Sequence, residues 1–180
     1  TGSAGGVKSV GGAPQRDQRP HQVTRARPAI AFDQKRGQLV LFGGAGLGNH
    51  TLGDTWLWDS IRWRQIHDYP AHRAASVAYD SRRQILVSFG GRIALNRRNA
   101  IDIDQTWEWD GHAWSQRQPT TRPPAAEGGA LAYDANRGRT VLFGGNTVSG
   151  RRHNETWEYD GTTWRAIATA SSSLSSLISF

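Results

Sequence analysis

The sequence predicts an all-β chain made of three four-stranded antiparallel blades, a β-propeller whose ring is incomplete or fragmentary. Three observations predict it. A block of about 50 residues occurs three times, and its marker tryptophans Trp56, Trp107 and Trp157 stand 51 and 50 residues apart. Inside each block apolar residues alternate with period two or run on without a break, as in half-buried and fully buried strands, and no 3.6-residue period appears. Glycine, asparagine and aspartate punctuate the blocks at the short intervals that hairpins require.

The elements follow in chain order. The first strand is Ala29-Ile-Ala-Phe-Asp33, repeated as Ser76-Val-Ala-Tyr-Asp80 and Ala130-Leu-Ala-Tyr-Asp134. It ends in a tight turn at Gln34-Lys-Arg-Gly37, Ser81-Arg82-Arg83 or Ala135-Asn-Arg-Gly138. The second strand is a continuous apolar run, Gln38 to Phe42, Gln84 to Phe89 and Arg139 to Phe143, which suits a strand buried on both faces. A glycine doublet closes it each time, at Gly43 and Gly44, Gly90 and Gly91, Gly144 and Gly145. The third strand alternates Trp, variable, aromatic, Asp at Trp56, Trp107 and Trp157. Asp59-Ser60, Asp110-Gly111 and Asp160-Gly161 then turn the chain into a fourth strand around Trp63, Trp114 and Trp164. The recurring glycines are read as backbone devices that permit torsions or close packing forbidden to other residues, and the recurring tryptophans as packing between blades.

A Gly-Gly doublet after an apolar strand, a Trp or Tyr strand some dozen residues on and a further spaced Trp resemble the kelch motif. The resemblance runs over residues 25 to 168, and the Phe-Gly-Gly and Thr-Trp-x-aromatic-Asp signatures are similar to bacterial kelch proteins of the galactose-oxidase central-domain type. It implies a kelch-type propeller and suggests a secreted protein of the periplasm or exterior, although the compartment stays unknown. Kelch blades often carry Arg-x-x-His before the first strand. Here Arg73-x-x-Ser76 keeps only the arginine, and Ala26 with Ala29 and Glu127 with Ala130 hold the matching places.

The division expected is a linker or boundary segment over 1–24, three repeats at about 25–70, 71–120 and 121–168, and a Ser-rich tail over 169–180. The chain begins at Thr1 and contains no methionine, so it is expected to be a trimmed or incomplete product. Three blades fall short of the four to eight of a closed ring. Self-association that completes the propeller, for example as two halves of a six-bladed ring, or else aggregation, is therefore expected.

With no cysteine, the chain excludes disulfides, thiolate metal sites, a cysteine nucleophile and the cysteine-tyrosine cross-link of a copper-radical oxidase. The motifs of serine hydrolases, zinc proteases and phosphate-binding loops are absent, and Gly44-Ala-Gly46-Leu-Gly48 lacks the spacing of a dinucleotide loop. His67-Asp68 with His72 is the nearest approach to a metal cluster and reads as a surface turn. Neither a metal nor a cofactor is expected, and no apolar run is long enough to span a membrane.

What varies between blocks is the connection after the glycine doublet, Ala45 to Gly53, Arg92 to Ile103 and Asn146 to Asn154, which a propeller places on one rim. These loops carry Asn49 and His50, then Arg92 with Asn96, Arg97, Arg98 and Asn99, then Arg151, Arg152, His153 and Asn154. The candidate ligand-binding residues are Arg97, Arg98, Arg151, Arg152, Asn96 and His50, with no catalytic residue assigned. Of 22 cationic residues only Lys8 and Lys35 are lysines, and the net charge is +7. Arginine pairs favour carboxylates, so the expected partner is a protein or an acidic glycan. Nucleic acid is not expected, because no recognised module or interleaved exposed aromatics accompany the charge. The reading is a non-catalytic binding propeller. The alternative is a carbohydrate-active propeller enzyme such as a sugar mutarotase, for which Glu127 is the one in-frame acid and its position relative to the channel and to arginines the discriminator.

Overall fold

The computed structural model describes residues 24–168 except 69 and 97. The expected linker, apart from Thr24, and the Ser-rich tail lie outside the described residues. Fourteen strands form three four-stranded antiparallel blades and one inserted hairpin among the described residues. Blade 1 is β1 (Ala29–Asp33), β2 (Gln38–Phe42), β3 (Asp54–Trp58) and β4 (Trp63–Asp68). Blade 2 is β5 (Ser76–Asp80), β6 (Ile85–Phe89), β9 (Thr106–Trp109) and β10 (Trp114–Arg117). Blade 3 is β11 (Ala130–Asp134), β12 (Arg139–Phe143), β13 (Thr156–Tyr159) and β14 (Trp164–Ile167). In each blade the strands pair in chain order, so the sequence reading of the fold class holds. The long connection of blade 2 adds a hairpin the sequence did not suggest, β7 (Arg92–Ala94) with β8 (Ala100–Asp102). Its strands are only three residues long, too short for a readable alternation.

The first strands of successive blades adjoin one another, β1 beside β5 and β5 beside β11, and form the inner edge of the arc. Each first strand ends on an aspartate that caps the following turn. Asp80 accepts the Arg82 and Arg83 backbone N–H groups at 3.0 and 2.9 Å and the Arg83 Nε at 2.7 Å. Asp33 with Arg36 and Asp134 with Arg137 repeat the arrangement. The turn residue with positive φ is Gly37 or Gly138 in the outer blades but Gln84 in the middle one. The third-strand aspartates Asp59, Asp110 and Asp160 each accept two backbone N–H groups of the next turn, which holds their carboxyls below the ordinary range.

Two seams join the three blades, and they are built alike. Trp114 of blade 2 donates its indole N–H to Thr55 of blade 1 at 3.0 Å, and Trp164 of blade 3 to Thr106 of blade 2 at 2.9 Å. The same rings meet Phe42 and Phe89 edge-on, with centroids 4.6 and 5.3 Å apart. Each is backed within its own blade by a third-strand aromatic, Trp109 or Tyr159. The first seam gathers Val40, Phe42 and Leu57 against Leu86 and Trp109, and the second Val87 and Phe89 against Leu142, Tyr159 and Trp164. The first glycine of each doublet lets the next blade approach. A Cβ on Gly43 would lie 2.2 Å from the His72 carbonyl oxygen, and one on Gly90 2.4 Å from that of Ala126, distances no side chain tolerates. The second glycine donates its N–H to those same carbonyls.

The repeated tryptophans do not share one role. Trp109 and Trp164 are 1% exposed within the seams, whereas Trp107 is only half-buried. Replacing Trp109 or Trp164 by alanine is expected to destabilise the chain by about 3–5 kcal/mol, the cost of a large aromatic lost from a core. Trp63, equivalent to Trp164 but facing no preceding blade, is expected to cost about 1 kcal/mol. Urea midpoints at submicromolar chain concentration read the difference, and equal losses at the three positions would refute this account of the seams.

Candidate functional site

Each blade enters its first strand through a turn at one rim, and these turns are equivalent stations around the inner edge. Their central residues Arg27, Ala74 and Gly128 all have positive φ, 51°, 52° and 67°. Only glycine adopts that conformation without strain, so Arg27 and Ala74 are each held there at a cost of about 1 kcal/mol or more. Backbone bonds supply the hold. The Ala74 N–H donates to the Arg27 carbonyl and the Gly128 N–H to the Ala74 carbonyl, both at 2.9 Å, a chain of bonds from blade to blade. The preceding residues, Ala26, Arg73 and Glu127, bridge to the first loop residues after the doublets, Ala45, Arg92 and Asn146. Those pair in turn with Thr51, Asp102 and Arg152.

Because the backbone repeats, the side chains at these stations are directly comparable, and the acid-base content falls on two of them. Glu127 is 3% exposed. Its Oε1 accepts Arg27 Nη1 at 3.2 Å and lies 2.9 Å from Arg92 Nη1. Arg92 in turn donates its Nε to Asp102 at 2.7 Å, and Asp102 accepts the Val148 N–H of blade 3 at 2.5 Å. The cluster thus spans all three blades. Glu127 Oε2 is buried without a hydrogen-bond partner among the described residues, as is Arg92 Nη2. A buried acceptor left unpaired costs about 1–3 kcal/mol, so this oxygen is a place where a ligand hydroxyl or a water gains. Arg27, Ala74, Glu127, Gly128 and Asn146 line an open depression there. The Arg27 side chain is 63% exposed and reaches into it from solvent. Glu127 therefore lies at the inner rim beside arginines.

The residues the sequence singled out are placed differently. Arg97 lies outside the described residues. Asn96 caps its own loop, accepting the Arg98 and Asn99 N–H groups at 2.9 and 2.8 Å, and His50 Nδ1 is 2.6 Å from the Leu47 carbonyl oxygen. Arg98, Arg151 and Arg152 are exposed, and among the described residues none of them forms an ion pair with a carboxylate. Arg152 is tied to the inner-rim station through its bridge to Asn146. Sequence reasoning missed Arg27, and it named Arg92 in the rim loop of the second blade without making it a candidate. Arg92 carried a signal, as the residue directly after a glycine doublet where the other blades have Ala45 and Asn146.

Much of the remaining arginine is committed to the blades themselves. Arg25 pairs with Asp54 at 2.7 Å, Arg83 with Asp80 and Glu108, and Arg137 with Asp134 and Glu158.

No protein-family model matches the chain, and no curated protein sequence does. Among solved structures the chain is similar to YjhT, with a TM-score of 0.63 at 10% sequence identity, over 80% of this chain and 46% of that one. The likeness establishes the β-propeller fold, and the matched part spans about half of YjhT. No described helix is long and apolar enough to cross a membrane.

His72, read from the sequence as part of a surface turn, stands beside these stations in the seam of blades 1 and 2 and is interior. It is 2% exposed, and burial lowers its pKa from 6.5 to about 4. The folded imidazole is neutral while the unfolded one takes up a proton below pH 6.5, so its contribution is complete above pH 6.5 and lost as pH falls toward 4. The loss is expected to reach about 3 kcal/mol. Urea unfolding across that window measures it, and His72→Gln should flatten the profile. A wild-type profile without slope between these pH values would show that His72 is not buried neutral.

Proposed function

We propose that this propeller segment binds an anionic, hydroxyl-rich sugar at the inner rim, with Arg27 meeting the ligand carboxylate and Glu127 accepting a ligand hydroxyl. The observation that carries the reading is the unpaired Oε2 of a carboxylate that is 3% exposed and held beside two arginines. Burial there sharpens the electrostatics, since a charge-assisted hydrogen bond away from water is stronger than one between exposed groups. Arg92 is fixed by Asp102 and sets the carboxylate. Arg27 supplies the cation that faces solvent. The exposed Arg98, Arg151 and Arg152 then act at a distance, raising the local anion concentration.

A second reading is catalytic. It follows the kelch resemblance of the sequence, since sialic acid mutarotases occur among kelch propellers. Interconverting the anomers of a sugar needs a base for the anomeric hydroxyl proton and an acid for the ring oxygen. A buried carboxylate flanked by arginines is the kind of group that serves as the base. Kelch membership, with the extracellular or periplasmic location that the resemblance suggests, is a further part of this proposal supported by the motif spacing, and a protein partner for the rim loops is another supported by the exposed Arg98, Arg151 and Arg152.

Calorimetric titration with sialic acid, with a neutral sugar of similar size and with an acidic polymer tests the assignment. Glu127→Gln and Arg27→Asn, the latter a residue that accepts positive φ, are each expected to weaken sialic acid binding by about tenfold or more. Changing Arg97, Arg98, Arg151 and Arg152 together to serine is expected to weaken it less and to remove most of the salt dependence. The opposite ranking, with unchanged melting temperatures, would move the site out to the rim loops. Anomer exchange followed by magnetisation transfer tests the catalytic reading, which fails if Glu127→Gln exchanges as fast as wild type.

A further inference from the structure

The two outer faces of the described blades are the two halves of one seam. On blade 3, Phe143 is 53% exposed where Phe42 and Phe89 are 0% and 3%. Thr156 is half-buried where Thr55 and Thr106 are 0% exposed. The nearest atom to a Cβ on Gly144 would be 3.4 Å away, against 2.2 and 2.4 Å at Gly43 and Gly90. These are the three positions that, in the internal seams, receive the next blade's indole ring, its N–H and a backbone carbonyl. On blade 1, Trp63 stands 5.5 Å from Trp58, the same pairing that Trp114 makes with Trp109 and Trp164 with Tyr159. Ile30 and Phe32 are 49% and 50% exposed at the positions from which Val77 and Tyr79 pack into the first seam. The receiving half and the inserting half are both formed, at opposite ends of the arc.

We propose that a second copy of this chain closes the ring head to tail, with blade 3 of each copy seating blade 1 of the other, to give six blades about a twofold axis. Three arguments select a second copy. The faces match each other in the manner of the two internal seams, so the chain carries its own complement, and two heterologous contacts that close on each other give a finite assembly. The matched span is 46% of YjhT, so two copies supply about one ring of that size. The exposed aromatics are contiguous with a built hydrogen-bond acceptor, which an adventitious apolar patch lacks. In the closed ring the Trp63 indole N–H of each copy donates to Thr156 of the other, and Phe143 meets the Trp63 ring. The Gly145 N–H reaches the Arg25 carbonyl of the second copy, and the second copy's Arg27 N–H reaches the Gly128 carbonyl. That last bond continues the rim chain and places Arg27 of one copy beside the Glu127 station of the other. The proposal stands independently of any ligand.

Sedimentation equilibrium of the full chain over micromolar concentrations tests it. Wild type is expected to be a reversible dimer. Phe143→Glu, and separately Ile30→Glu with Phe32→Glu, are expected to be monomers with unchanged circular dichroism, because the replaced side chains are exposed. Mixing the two variants is expected to restore association, since the mixed pair retains one whole seam out of two. A wild-type monomer, a dimer indifferent to Phe143→Glu, open-ended polymers, or two variants that stay monomeric when mixed would each overturn the head-to-tail ring.

Discussion

Everything in this molecule depends on how one blade is fastened to the next. A four-stranded antiparallel sheet buries little by itself, and its two faces become a core only when another sheet covers them. The fastening is a fourth-strand indole that does two things at once. Its ring fills the gap beside a phenylalanine of the preceding blade, and its N–H satisfies a threonine whose own side chain is fully buried. A buried indole or hydroxyl without a partner would be a liability, so the pairing makes apolar burial and polar satisfaction compatible in one place. The glycine doublet is the second half of the same device. It brings backbone N–H groups to the next blade's carbonyls at a separation that a single methyl group would prevent.

The charge distribution follows from the same repetition. A net charge of +7 suggests a basic protein seeking an acidic partner, yet the turn arginines Arg36, Arg83 and Arg137 answer the strand-end aspartates three residues before them. Arg83 and Arg137 go further and reach Glu108 and Glu158 on the third strand of their own blade. A guanidinium can do this where an ammonium cannot, because its planar fork serves two acceptors together with fixed geometry. The arginine bias is thus in good part a structural habit of the hairpins. The charge left to act on a partner is smaller, and Arg98, Arg151 and Arg152 bring part of it to the rim.

The fold was legible because its determinants repeat. Three copies of Phe-Gly-Gly and of Thr-Trp-x-aromatic-Asp fix strand order and turn positions with no need of long-range information, and the observed blades pair in chain order. The allocation of burial was less legible. Trp56 is 4% exposed and Trp107 half-buried although they hold the same frame position, because what covers a side chain depends on the neighbouring segment and not on its own repeat. The Trp109 and Tyr159 position carries the seam instead, and the sequence showed it only as an alternation of Trp with Tyr. The β7–β8 hairpin was hidden because its two strands are held by the rim connections rather than by any pattern of their own.

The candidate site was half legible for a reason that repetition also explains. In a repeat protein, whatever recurs in every unit is accounted for by what the units share, which is packing, capping and turn geometry. Function therefore has to be sought where equivalent positions diverge while the backbone stays the same. The rim stations meet that condition, since the bridges at Ala26, Arg73 and Glu127 are alike and their side chains are not. Glu127 could be recognised in the sequence as an acid out of step with its counterparts, but its partners could not, since Arg27 is 100 residues away and Arg92 belongs to the preceding blade. Closure of the arc brings them together. The positive φ at Arg27 points the same way, because a glycine would relieve the strain and would forfeit the guanidinium at the mouth of the depression. A chain that retains a strained arginine at one station, an alanine at the next and a glycine at the third has used the freedom of that turn unequally. Of the two strained stations, one carries the side chain that reaches the buried carboxylate.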